Sequence, residues 1–495
     1  MGALGKATTD VISHLRGDSL KARSSRGMAT LAVGTVTERA LRLVRNMILT
    51  RLLVPGQFGL MAIVVAASMA LEALAEVGVK QSIIHHKKGG ESEYLNVAWW
   101  FQVVRGLGLF GIAYFFTPWI SNFYKHPELL PLMRLAFTSI LFNSLLSPRA
   151  YVLEKKIQFG RWVFLYQGSA LFGTLVSLVL AYFIIQNVWA LVIGFVAEAV
   201  VRCLLSFVLC PFLPGFRIDR NSLRELLKFA RRMLGLAFLT IIVRQTDIMV
   251  LGRLVSEEQL GLYYMALQLA YQPVQLFERI VGKVLLPAFA EKQEEKESIC
   301  RAVTAIAKTT AVFGIPVLSF VIICARPILS LVYGSPYGAV PVAFSFLCLW
   351  ALVTTQAIVV SSILIGTGMP HLHRRAVTLR AAILIGLIYP AIRLWGLSGA
   401  AATVFVAYSV ALIPPFLWMR RLINLKLNEY ALSWLPGFWA SLVVIVPTIL
   451  LRYSSGTKYT LSMIVGIISC LGAWLVGLLL LKHSRLKRPC IAHSI

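Results

Sequence analysis

Fourteen apolar runs recur along this chain of 495 residues, and they restrict its fold more than any other feature. They cover about 28–50, 57–84, 95–117, 130–153, 160–185 and 187–210. After a basic interruption at 215–232 they continue at about 233–254, 259–285, 299–324, 338–366, 374–392, 396–419, 433–452 and 460–481. Each is long enough to cross about 30 Å of hydrocarbon as a helix. The chain is 58% apolar and 14% charged, whereas soluble domains are about half apolar and a quarter charged. The sequence therefore predicts an all-α integral membrane protein of about fourteen transmembrane helices.

The formal charge of +27 is carried by short groups between the apolar runs. No continuous basic domain forms, so the charge does not point to nucleic acid. Basic residues beside membrane spans concentrate on the cytoplasmic side. With the N-terminus inside, alternate loops hold Lys87, Lys88, Arg149, Lys155, Lys156, Arg224, Lys228, Arg374, Arg375, Arg420 and Arg421, among others. The opposite loops hold little beyond Arg51, Lys125, Arg253, Arg326, Arg393, Arg452 and Lys458, a bias of roughly four to one. Both termini are expected in the cytoplasm, which requires an even number of spans. Residues 1–27 are polar and basic, with no cleavable signal peptide expected there.

The chain also repeats itself. Residues 51–60 (RLLVPGQFGL) align without gaps on 253–262 (RLVSEEQLGL), and in the same register Arg42 falls on Arg244 and Glu76 on Glu278. Pro118, Ser121, Tyr124 and Pro127 recur at the same spacing as Pro327, Ser330, Tyr333 and Pro336. One duplication accounts for both matches. Each copy holds about six spans, so the copies share an orientation and are expected to be related by an axis along the membrane normal. The predicted organisation is a tail over 1–27, an N-lobe over 28–214 and an inter-lobe linker over 215–232. A C-lobe over 233–420, two added spans within 433–481 and a tail over 482–495 follow.

Ionisable residues at bilayer depth are costly and normally face a partner or a cavity. Span one carries Glu38, Arg42 and Arg45 on one face by helical spacing. Glu72 and Glu76 lie in span two, Arg105 in span three, Glu198 and Arg202 in span six, Arg244 and Asp247 in span seven, and Glu278 in span eight. Two readings stand side by side. Opposite charges pair and hold helices together, as the i, i+4 spacing of Glu198 and Arg202 suggests. Alternatively, Arg42, Arg45, Arg105 and Arg244 line a cationic cavity that selects anions, guanidinium forks being well matched to phosphate oxygens. Asp247 falls on the repeat position of Arg45 and is a candidate gating residue. Glu72, Glu76 and Glu278 are candidates for proton coupling beside the ordinary alternative of ion pairing.

Other chemistry finds little support. Cys203, Cys210, Cys324, Cys348 and Cys470 sit inside apolar runs without metal-ligand spacing. His85, His86, His371 and His373 lack the neighbours of a metal site. No phosphate-binding loop, catalytic acid pair or large extramembrane loop is visible, so the expectation is a transporter without a catalytic site or cofactor.

The ordered segments RLLVPGQFGLMAIVV, ALAEVGVKQSIIHHK and YLNVAWW, then TDIMVLGRLVSEEQLGLYYMA and ERIVGKVLLPAFAEKQEE, resemble the polysaccharide transporter family of Wzx-type flippases. That family lies within the multidrug/oligosaccharidyl-lipid/polysaccharide (MOP) exporter superfamily, and the similarity covers nearly the whole chain. The resemblance implies a MATE-like fold of two six-helix lobes, in a bacterial inner membrane, that opens to either side in turn. It implies as substrate an oligosaccharide carried on undecaprenyl pyrophosphate, moved outward for lipopolysaccharide or exopolysaccharide synthesis. The implied partners are this lipid-linked oligosaccharide, membrane lipids, and the polymerase and export machinery; coupling to H+ or Na+ stays open. A lipid II-type flippase and a cation-coupled multidrug exporter are the alternatives within the same fold. The excess of buried arginine speaks against an exporter of cationic drugs.

Overall fold

The computed structural model describes residues 20–75, 78–86, 89–156, 158–215, 219–291, 295–454 and 459–484. Their regular structure is helical, and the described residues of each apolar run lie mostly on helix. The first part of the chain forms α1 (Leu20–Leu52), α2 (Pro55–Ala75), α3 (Val79–His85), α4 (Ser92–Tyr124), α5 (Leu129–Ser144), α6 (Arg149–Lys155), α7 (Phe159–Phe183), α8 (Val188–Leu209) and α9 (Arg220–Leu254). It continues through α10 (Glu257–Glu291), α11 (Lys296–Ile323), α12 (Ala325–Tyr333), a 3-10 turn (Ser335–Ala339) and α13 (Pro341–Gly366). The last helices are α14 (Pro370–Leu422), α15 (Leu427–Ser454) and α16 (Tyr459–Ser484).

Among the described residues, eight helices are by themselves long and apolar enough to cross a membrane. The count becomes nine if α5 and α6, bent by 66° at their break, form one span. The fourteen expected spans are not all counted this way. α1 carries several charges, and α10 is rich in glutamine and tyrosine. α14 counts once although its 53 residues are two helices meeting at Gly396, where φ is 55°. The stretch expected as a linker over 215–232 is helical from Arg220, where it begins α9, and the tail expected over 1–27 is helical from Leu20.

The repeat is visible in the helix ends. The offset that sets Arg51 on Arg253 also sets the last residue of α1, Leu52, on the last of α9, Leu254, and the first of α2, Pro55, on the first of α10, Glu257. In the second pattern, Tyr124 closes α4 and Tyr333 closes α12, and both are buried. Each is followed by a residue of positive φ, Lys125 at 62° and Gly334 at 108°.

The chain divides into two compact units, one running to Arg253 and one from Leu254. In the first, α7 packs against α8 and α1, and α5 packs against α4, α8 and α2. Val79, Ile83, Tyr94, Leu95, Tyr151, Phe212 and Leu226 close one end of it, drawing the start of α9 onto α3, α4 and α6. In the second, α13 packs between α10 and α14, while α11 packs against α15 and α16. The two added helices are thus integral to that unit: Ala440, Val444, Cys470 and Ala473 bury against Phe320, and the Trp474 indole donates to the Phe313 carbonyl at 3.4 Å. The outer surface is apolar where water would be expected around a soluble bundle. Trp119, Phe123, Tyr182 and Phe183 are exposed at the ends of α4 and α7, and Tyr389 and Trp395 beside the Gly396 kink. Aromatic rings favour the membrane interface, and these positions fit such a belt.

Small residues allow the helices to approach closely, as is usual where the surrounding solvent is lipid. A Cβ added at Gly173 on α7 would stand 2.7 Å from the Glu198 Cβ and 2.7 Å from the Gly194 carbonyl oxygen of α8. A Cβ at Gly108 would meet nothing within 4 Å. Gly173→Val should therefore destabilise the detergent-solubilised protein by about 1–3 kcal/mol, read as a lower apparent Tm, while Gly108→Ala leaves the Tm within error. An unchanged Tm for Gly173→Val would contradict the packing described.

Candidate functional site

The predicted arginines of span one lie in a chain of charged and polar side chains that crosses the first unit. Glu38 and Arg42 are one helical turn apart on α1, and the Arg42 Nε donates to the Glu38 Oε1 at 3.0 Å. The other edge of the guanidinium reaches α8, where Arg42 Nη2 donates to Glu198 Oε1 at 3.1 Å and Oε2 at 3.4 Å. Arg202, one turn beyond Glu198, donates to the same Glu198 Oε1. Span one is therefore not left with Glu38 alone to balance its arginines, because Glu198 supplies a second carboxylate from another helix. The bare glycine face at Gly173 leaves room for α7 beside the turn that carries Glu198.

From Arg202 the chain continues to α5 and α2. Arg202 Nη1 donates to Asn143 Oδ1 at 3.4 Å, and its guanidinium lies 5.6 Å from the Tyr166 ring centroid. Asn143 Nδ2 donates to Glu72 Oε1 at 2.9 Å, and the Ser139 hydroxyl donates to the same oxygen at 2.9 Å. Four helices, α1, α8, α5 and α2, are thus tied by side chains from Glu38 to Glu72. Glu38 and Glu198 together balance Arg42 and Arg202, and removing one partner from such a buried arrangement typically costs about 3–5 kcal/mol.

The remaining predicted residues are distributed around this chain. Arg45 donates to its neighbour Asn46 at 3.2 and 3.1 Å and lies within electrostatic reach of Glu198. Arg105, half-buried on α4, places its guanidinium 5.0 Å from the Phe101 ring. Arg244 on α9 is exposed, and Asp247, less than a turn on, is buried. In the second unit Glu278 accepts from the Tyr271 hydroxyl at 3.5 Å. Glu76 lies outside the described residues.

Sequence reasoning placed Glu198 and Arg202 as a local pair and missed their link to Arg42, since residues more than a hundred positions apart meet only through helix packing. It also missed Ser139 and Asn143, which carry no charge to mark them within an apolar run. Arg380 was missed as well. It lies inside the run at 374–392, one and a half turns beyond Arg374 and Arg375, whose interfacial position drew attention away from it. An arginine that deep in an apolar run is itself a signal.

Comparison with known proteins fits this architecture. The chain is 23% identical over 453 residues to the lipopolysaccharide biosynthesis protein WzxC of Escherichia coli (strain K12), covering 88% of each chain. Its fold is similar to that of the lipid II flippase MurJ in an inward closed conformation, with a TM-score of 0.75 at 15% identity over 92% of this chain and 99% of that one. It is also similar to an inward-facing multidrug resistance MATE family transporter of the MOP superfamily, with a TM-score of 0.61 at 16% identity over 79% of this chain and 98% of the other. Residues 48–341 match the family of polysaccharide biosynthesis proteins. This multi-pass membrane protein belongs to that family, and its fold is that of the MOP-superfamily transporters.

Proposed function

We propose that the protein is a flippase that moves an oligosaccharide linked to undecaprenyl pyrophosphate from the cytoplasmic to the periplasmic leaflet of a bacterial inner membrane, with both of its own termini in the cytoplasm. The observation that carries this reading is the concentration of guanidinium groups within membrane-spanning helices of a polysaccharide biosynthesis protein with a transporter fold. A diphosphate-linked saccharide is a large polar anion that does not enter hydrocarbon unaided, whereas its prenyl tail stays in lipid. Arginine offers planar paired donors to phosphate and keeps its charge at any physiological pH. Outward movement of two negative charges away from the negative inside of the membrane releases about 4–5 kcal/mol per 100 mV, so the membrane field favours export.

Within this reading the arginines divide by role. Arg42 and Arg202 together neutralise Glu38 and Glu198 and order the helices, while Arg45, Arg105 and Arg244 are the cations for the diphosphate head. WzxC, a lipopolysaccharide biosynthesis protein similar over most of the chain, supports the saccharide class, and the MurJ likeness supports handling of a lipid-linked diphosphate.

The test is deletion of the gene followed by extraction of membrane lipids. An undecaprenyl-linked oligosaccharide should accumulate with its sugars accessible from the cytoplasmic side, and surface polysaccharide should fall; normal polysaccharide without accumulation would sink the flippase reading. In the complemented strain, Arg244→Ala should reach the membrane at wild-type levels yet slow export about tenfold, the weight of a charged hydrogen bond of about 1.5–3 kcal/mol. Wild-type export by this variant would remove Arg244 from the site.

A further inference from the structure

The second unit contains an aromatic and cationic cluster outside the predicted site. Arg380 lies near the middle of the first half of α14, and its guanidinium carbon stands 3.8 Å from the ring centroid of Tyr408 in the second half. That is the closest cation–aromatic contact among the described residues. Tyr408 meets Trp350 of α13 edge-on, with centroids 5.6 Å apart and an interplanar angle of 88°. Trp350 in turn lies 5.6 Å from Tyr271 of α10, whose hydroxyl donates to Glu278. Two helices, α10 and α13, and the kinked α14 thus bring five side chains together well inside the apolar runs.

Two donors in this cluster have no acceptor. Trp350 is 7% exposed, and its indole N–H is buried without a hydrogen-bond partner. The Arg380 Nε is likewise buried without one, and among the described residues no carboxylate lies within ion-pair distance of Arg380. Stacking on Tyr408 uses the face of the guanidinium and leaves its edge, where the N–H donors point, for another group. A charged edge and a buried indole N–H held in an apolar span are unfavourable unless something accepts from them. Aromatic walls with a few fixed polar groups are a common form of small-molecule site.

We propose that Arg380, Tyr408, Trp350, Tyr271 and Glu278 form a subsite for a carboxylate-bearing sugar residue, of the uronic acid class, within the saccharide that the protein carries. The proposal rests on the flippase reading and specifies the sugar chemistry. Tyr408 holds Arg380 flat, and the guanidinium edge pairs with the sugar carboxylate. Trp350, packed between Tyr271 and Tyr408, backs the site as its aromatic floor. Glu278 and the Tyr271 hydroxyl take sugar hydroxyls. A diphosphate fits less well here, because among the described residues Arg380 is the one arginine of the cluster, and the next basic residues before it on α14, Arg374 and Arg375, are exposed more than a turn away.

Saturation-transfer difference NMR on the full-length protein in lipid nanodiscs tests this directly. The probes are a hyaluronan tetrasaccharide, which carries glucuronate, and the same tetrasaccharide with its carboxyl groups reduced to neutral alcohols. The acidic probe should give a signal about tenfold stronger than the neutral one, as one charge-assisted pair predicts. Arg380→Gln should abolish that difference, Trp350→Phe should weaken the acidic signal, and inorganic pyrophosphate should not displace it. Equal signals from both probes, no signal from either, an undiminished difference in Arg380→Gln, or displacement by pyrophosphate would each overturn the assignment. If Arg380→Gln elutes as an aggregate, the comparison of probes on the wild type and on Trp350→Phe decides. Binding is read without export, so failure here leaves the lipid-accumulation result standing, and failure of that result leaves this one readable.

Discussion

The carboxylate of Glu198 holds the first unit together. It lies on α8 between Arg202 of its own helix and Arg42 of α1, and through Arg202 and Asn143 it is connected to Glu72 on α2. In lipid there is no hydrophobic force to favour one helix–helix contact over another, because the surroundings are as apolar as the side chains. Paired charges and hydrogen bonds then decide which helices meet and in what register. Each member of this chain would be costly to expose to hydrocarbon alone. The arrangement is therefore closely specified even though most of the surrounding residues are interchangeable Leu, Val and Ile.

The small residues act with the charges. Gly173 and Gly194 bring α7 and α8 close together at the level of Glu198, beside the turn that carries the carboxylate. In the second unit a row of aromatic rings, Tyr271, Trp350 and Tyr408, joins α10, α13 and α14, with a guanidinium laid on the last of them.

Much of this was legible in the sequence. The apolar runs located the helices, and the matched segments at 51–60 and 253–262 located equivalent helix breaks to the residue, because both breaks depend on local backbone signals. The i, i+4 spacing disclosed the Glu198–Arg202 pair. What stayed hidden depended on packing between distant segments. Arg42 and Glu198 are 156 positions apart, and no periodicity announces that they meet. Ser139 and Asn143 are neutral and disappear into an apolar helix, and Arg380 is obscured by the basic pair before it. Similarly, the two added C-terminal helices look like an appendage in the sequence, yet α15 packs along α11 as extensively as any pair in the unit, and α16 packs on both.

A double-mutant cycle on Arg42 and Glu198 tests the central claim that this ion pair organises the first unit. Arg42→Met, Glu198→Gln and the double variant would be compared with the wild type by equilibrium unfolding of the detergent-solubilised protein. Each single change should cost about 3–5 kcal/mol, and the double change should cost less than the sum of the two by about 0.5–3 kcal/mol. Strictly additive losses, or a single variant as stable as the wild type, would contradict it.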